Sequence, residues 1–223
     1  MSTEIFMLLA LGALNGLVHA LDADHVLAVS AVAMQGEARR RRVLFTALEW
    51  ALGHGASLLF IALMVLGLGM AVPERLAHVA EVLVGVILIA VGVSLLRGIY
   101  RGQLHASAHK HPHLPVHFHL HRDGHRRLGD HKSVLIGIVH GIAGSAPLLA
   151  VLPLVIQSRF VLATGYILIF TGFVAVMMCA FGGLLGLFIK KLQARYRNGV
   201  GALQCLVAVQ SLVFGGLWVY RGL

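Results

Sequence analysis

Residues Ile5 to Met34 read IFMLLALGALNGLVHALDADHVLAVSAVAM, thirty residues without Lys, Arg or Glu. At 1.5 Å per residue, about 20 apolar residues cross the roughly 30 Å hydrocarbon layer of a bilayer. The run therefore reads as a membrane helix, yet it carries His19, Asp22, Asp24 and His25 near its middle. Five further apolar stretches follow, at Val43 to Met70, Leu76 to Leu96, Val134 to Ile156, Phe160 to Ile189 and Val200 to Tyr220. All are continuously apolar rather than alternating, which selects helices over barrel strands. The 223 residues are 58% hydrophobic and 12% charged, with mean hydropathy +0.86. A soluble domain carries about 25% charged residues, so a soluble enzyme and a disordered chain are both excluded. The expected fold class is an all-α integral membrane protein with six transmembrane helices.

The net charge of +9 would suggest nucleic acid on a soluble domain. Here fifteen of the eighteen Lys and Arg residues fall in the alternate loops 1–2, 3–4 and 5–6, in blocks such as Arg39 to Arg42 and Lys190, Lys191, Arg195 and Arg197. Only Arg75, Arg159 and Arg221 fall on the opposite side. Basic loops stay in the cytoplasm, so both termini are expected outside a bacterial-type inner or plasma membrane, and no nucleic-acid partner is needed. The N-terminus lacks the basic region of a secretory signal, so the first apolar segment is expected to be retained. Cys179 and Cys205 lie in apolar segments without CxxC spacing and read as packing residues. Gly12/Gly16 and Gly182/Gly186 have the spacing of close helix contacts.

Gly16-Leu17-Val18-His19-Ala20-Leu21 matches Gly137-Ile138-Val139-His140-Gly141-Ile142 in order. With three helices in each half, the second half enters the membrane from the opposite side, which makes the match an inverted repeat of the kind secondary transporters use. The expected organisation is a first three-helix repeat over 1–97 bearing the metal signature, a cytoplasmic His-rich loop over 98–133, and a second repeat over 134–223.

Carboxylates at membrane depth cost several kcal/mol each unless paired or metal-bound. Four ionisable groups in seven residues, His19, Asp22, Asp24 and His25, have no cheap packing explanation. At 100° per residue, His19, Asp22 and His25 share an arc of about 120° while Asp24 points elsewhere. Either the helix unwinds around Ala20 to Ala23, or Asp24 serves a neighbouring helix. The second apolar helix adds Glu49 and His54, and the fourth adds His140 with Pro147 and Pro153 beyond it. The candidate metal residues are His19, Asp22, Asp24, His25 and His54. Glu49 and His140 are placed either behind these ligands or on a proton path; His140 alone is also explained by an interhelical hydrogen bond. Imidazoles with a few carboxylates suit Ni²⁺, Co²⁺ or Zn²⁺, whereas Mg²⁺ prefers oxygen alone.

Val18-His19-Ala20-Leu21-Asp22-Ala23-Asp24-His25 resembles the signature of the nickel–cobalt permease family, a His, four residues, then Asp-His. Gly53-His54 resembles that family's second motif. The fourth-helix segment from Gly137 to His140, continuing as Gly141-Ile142-Ala143-Gly144-Ser145-Ala146, resembles the six-helix branch associated with urease accessory nickel permeases. The resemblance implies transport of Ni²⁺ or Co²⁺ as cargo, with no resident cofactor. It carries His19, Asp24 and His25 over as metal-site residues and His54 as a contributor. It also implies a cytoplasmic metallochaperone of urease or hydrogenase maturation as partner. The chain departs from the pattern at Val18, where an Arg is common, and at Gly55, where Ser or Thr is usual, and the extra helix that larger members carry before the signature is expected to be absent.

Nine histidines lie between His105 and His131, among them His109, His111, His113, His117, His119 and His121. Two prolines and the polar composition predict a mobile, metal-binding tract rather than a packed element. Unperturbed imidazoles titrate near pH 6.5, so such binding weakens on acidification. No GxxxxGK[ST] loop is present, so the energy for transport comes from a gradient or a partner protein. Uptake is the expected direction; efflux for metal tolerance and a sensing or storage subunit stay open. An intramembrane metalloenzyme is remote: HExxH is absent, and outside the loop only His19, His25, His54, His78 and His140 are available.

Overall fold

The computed structural model describes residues 2–35, 40–68, 74–101, 105–109, 117–121, 132–144, 159–196 and 199–222. In chain order these form α1 (Ser2–His19), α2 (Ala23–Met34), α3 (Arg40–Leu68), α4 (Glu74–Tyr100), β1 (His105–His109), β2 (His117–His121), α5 (Lys132–Ala143), α6 (Phe160–Arg195) and α7 (Gly199–Arg221). The helices α3, α4, α6 and α7 are each long and apolar enough to cross a membrane. A fifth candidate span is the α1–α2 pair, bent by 52°. Large apolar side chains such as Leu52, Phe60, Leu63, Val161 and Leu184 are exposed on the bundle exterior, where a bilayer covers them at no cost. The chain is a membrane protein.

The first apolar stretch is not one continuous helix. The amide of Ala20 still reaches the Gly16 carbonyl, but Leu21 bonds Val18 and Asp22 bonds His19, tightening the last turn. Asp22 is then extended (φ −57°, ψ 142°), and the amide of Val26 returns to the Asp22 carbonyl to start α2. Of the two arrangements left open by the helical arc, unwinding is the one adopted. The expected fourth span is only partly described: α5 has 12 residues, about 18 Å, and residues 145–158, with Pro147 and Pro153, lie outside the described residues.

The histidine-rich loop departs from expectation. His105–His109 and His117–His121 pair antiparallel, with His105 opposite His121 and His109 opposite His117, so the described chain is not purely α-helical. His117–His121 alternates histidine with apolar residues, and His105–His109 alternates His or Ser with Ala, period-two patterns compatible with a ribbon. His111 and His113 lie outside the described residues.

The helices gather about α3 and α6 on one side and α4 and α7 on the other, with α2 and α5 each touching both. The helix α3 lies between α5 and α6, with α1 on the other flank of α6. The helix α2 lies against α4 and α7, which pair along their length. Nine of the twelve α2 residues are buried, and Gln204 of α7 donates to the Met34 carbonyl at its end (3.2 Å). Glycines set the approach distances. Gly12 and Gly16 seat α1 on Tyr166 and Phe170, Gly182 seats α6 on Ala47, and Gly53 and Gly137 bring the α3 and α5 backbones together at Val134 and Trp50. Gly85 and Gly215 face each other across α4 and α7, each a would-be Cβ away from the other's carbonyl. Cys179 and Cys205 are free.

Gly85→Val forces a branched side chain into the α7 backbone, an overpacking cost of about 1–3 kcal/mol or more. Its thermal midpoint in detergent, followed by size-exclusion, is expected to fall by roughly 5 °C or more. Gly216→Ala, where a Cβ meets nothing within 4 Å, is expected to leave it unchanged.

Candidate metal centre

The break after α1 decides where four polar groups point. Asp22 stands at the N-cap of α2, yet its side chain caps no amide. Its Oδ2 instead lies 2.8 Å from His19 Nδ1. Nδ1–H donating to a carboxylate fixes the tautomer and leaves the His19 Nε2 lone pair free, the relay by which carboxylates orient metal-binding histidines. Nε2 is buried and has no hydrogen-bond partner among the described residues. Asp24, in the first turn of α2, benefits from the positive end of the helix dipole.

Three imidazoles converge from three elements. Ring centroids are 4.6 Å apart for His19 and His25, 5.0 Å for His25 and His54, and 5.5 Å for His19 and His54. Each offers one nitrogen, and these three atoms lie within 4.8 Å of one another. Nitrogens held tetrahedrally about 2.1 Å from one ion are about 3.4 Å apart, so the widest-spaced pair would close by up to about 1.4 Å on binding. His25 Nδ1 and both His54 nitrogens are buried without partners among the described residues. Unsatisfied buried polar atoms are rare in folded proteins, and several on three touching histidines mark a place built for something that accepts lone pairs.

Aromatic walls hold the rings. Trp50, one turn before His54 on α3, stacks on it at 4.8 Å and 15° and stands 4.8 Å from His25. Phe170 of α6 lies 5.4 Å from His19. Gly144, just past α5, covers His19: a Cβ there would sit 3.2 Å from its Cε1 and Nε2.

The remaining expected residues are spread around this cluster. Asp22 is 49% exposed and committed to His19 rather than gathered with the three nitrogens. Asp24 is 13% exposed, its Oδ2 3.9 Å from His25 Nε2. His140, 1% exposed on α5, stands 5.8 Å from the His25 ring. Glu49 is half-buried and lies about 140° around α3 from His54, away from the cluster. Trp50, Phe170 and Gly144 were absent from the sequence-based set. The i, i+4 spacing of Trp50 and His54 was a usable signal for the first; nothing local marks the other two.

No family model matches the chain, and no solved structure matches it. It is similar to the urease accessory protein UreH of Bacillus sp. (strain TB-90), with 28% identity over 220 residues, spanning 98% of this chain and 92% of that protein. The likeness runs from end to end and supports the resemblance to the urease accessory branch of the nickel–cobalt permease family.

Asp22→Asn removes the carboxylate that fixes the His19 tautomer while leaving all three imidazoles in place. Affinity for Ni²⁺ in equilibrium dialysis of the detergent-solubilised protein is expected to fall about 10–100-fold.

Proposed function

We propose that this chain is a membrane permease for divalent nickel, with cobalt as a second ion, and that it acts as a carrier rather than an enzyme. The observation that carries the reading is the set of buried, unpartnered nitrogens of His19, His25 and His54 at a break in a membrane helix. The end-to-end likeness to a urease accessory protein favours nickel as the cargo.

The chemistry follows from the groups present. A dication leaving water needs donors that replace its hydration shell, and neutral imidazoles supply them. Asp24 beside His25 contributes the negative charge that offsets desolvation, and Asp22 holds His19 in register. Trp50 and Phe170 keep the rings from collapsing onto other partners. An inside-negative potential favours entry by about 2.3 kcal/mol per charge per 100 mV, consistent with uptake.

The architecture proposed is six spans in two inverted repeats, with both termini outside and the histidine-rich segment cytoplasmic. Helix pairing supports the repeat. Gly16 of α1 packs on Phe170 of α6, and Gly137 of α5 packs on Trp50 of α3. His19 then lies beside Phe170, and His140 beside Trp50. Each half thus lays its Gly-x-x-His face against an aromatic residue of the other. The loop histidines, His109, His111, His113, His117, His119 and His121, are proposed to bind the ion on the cytoplasmic side, before a metallochaperone takes it. The same cytoplasmic tract is the one feature that favours efflux as a second reading.

Purified chain reconstituted in liposomes is expected to admit Ni²⁺ to an internal metal-sensitive dye, separating carriage by the lone chain from the need for a partner. In whole cells, His19→Ala and Asp24→Ala are each expected to cut ⁶³Ni accumulation at least tenfold while reaching the membrane normally. Accumulation at the wild-type level in both would overturn the assignment, and lowered intracellular nickel on expression of the wild type would reverse its direction.

A further inference from the structure

One buried histidine stands outside the three-histidine cluster. His140 Nδ1 donates to the Ile136 carbonyl at 2.8 Å, so its Nε2 carries the lone pair, and that atom is buried without a partner. Its nitrogen is not among those gathered within 4.8 Å, yet its ring stands edge-on to His25 (5.8 Å, 64°) and to Trp50 (5.7 Å, 67°). Asp24, in the first turn of α2, borders the same His25 ring. His25 lies between the two sets: Nε2 is 3.9 Å from Asp24, and Nδ1 is buried without a partner.

The backbone keeps His140 in that place. Gly137 and Gly141, on the same face of α5, press against Trp50, His54 and Ser57 of α3 with no room for a side chain. The amide of Gly144 bonds back to the His140 carbonyl at 2.7 Å and sets Gly144 over His19. One short helix therefore reaches both the three-histidine cluster and the histidine outside it.

We propose that His140 Nε2 and Asp24 form a second subsite for the divalent cation, adjoining the three-histidine site at His25, and that the ion is handed from one to the other. The proposal rests on the permease reading and deepens it. The three imidazoles bring no negative charge of their own, and Asp24 beside His25 is the carboxylate that supplies it. The second subsite adds one anionic oxygen to one imidazole nitrogen. Exchange through His25 replaces ligands one at a time, so the ion is never bare within the bilayer. His140 also occupies, in the second half of the chain, the place His19 holds in the first, through the match of residues 16–21 with 137–142. The hand-off thus carries the ion from the histidine of one half to that of the other, at the repeat interface where transporters of this architecture place their sites.

The test is a Co²⁺ titration of full-length protein in detergent, read from the visible d–d bands, with ⁶³Ni uptake measured on the same variants. Monodisperse elution qualifies each variant as folded, and His140→Gln stands in should His140→Ala fail it. His140→Ala is expected to keep Co²⁺ affinity within about threefold of wild type, because the three-histidine site is intact, and to lose at least tenfold in uptake. His19→Ala is expected to retain one weaker equivalent of Co²⁺, whose bands disappear when His140→Ala or Asp24→Asn is added. Wild-type uptake by His140→Ala, or His19→Ala protein that binds no Co²⁺ or binds it regardless of His140 and Asp24, would overturn the second subsite alone. Failure of the wild type to bind Co²⁺ or Ni²⁺ at all would instead remove the permease reading itself.

Discussion

The contact between Asp22 and His19 organises this molecule. A carboxylate at a helix start ordinarily satisfies the free amides of the first turn. Here it turns back across the break and takes the Nδ1 proton of the last histidine of α1. That choice has two results. The amides at the start of α2 forgo a side-chain cap, and the 52° bend between α1 and α2 swings His25 beneath His19 instead of leaving them on separate turns of a straight rod. Without the bend, Asp24 would face away from every other polar group in the stretch.

Glycine makes the rest of the arrangement possible. The cluster draws on α1, α2 and α3, while α5 and α6 supply Gly144, His140 and Phe170 around it. Elements from both halves of the chain reach one small volume because α1 meets α6, and α3 meets α5, at backbone distance. In lipid no hydrophobic force drives helices together, so such close approach rests on van der Waals contact between small residues. The two tryptophans and two cysteines sort in the same way. Trp50 is part of the cluster wall, Trp218 packs beside Leu27 and Leu88, and the thiols stay unpaired.

Much of this was legible in the sequence. Apolar length located α3, α4, α6 and α7 to within a few residues at most ends, because the bilayer thickness sets that length. The seven-residue cluster from His19 to His25 was conspicuous because ionisable groups are so costly there. The roles within it were less legible. Asp22 and Asp24 look alike in sequence, and only the unwound turn separates the one that orients His19 from the one beside His25. Glu49 looked like a companion of His54, but helical geometry turns it aside. Phe170 and Gly144 carry no local mark, since their part in the cluster comes from helices more than a hundred residues distant in the chain. The strand pairing in the histidine tract was missed because composition outweighed a short alternating pattern.

The two packing groups have a mechanical consequence. His25 and Asp24 ride on α2, which is fastened to α4 and α7 and held at its far end by Gln204. His19 and His54 ride with α1, α3 and α6. The boundary between the groups therefore runs through the middle of the imidazole cage. A shift of α2 of about an ångström along that boundary changes the spacing of the three donors toward that of a bound ion, given the usual metal–nitrogen distance. Were the proposed carrier to grip and release at this joint, a shear of α2 against the helices that hold His19 and His54 would suffice.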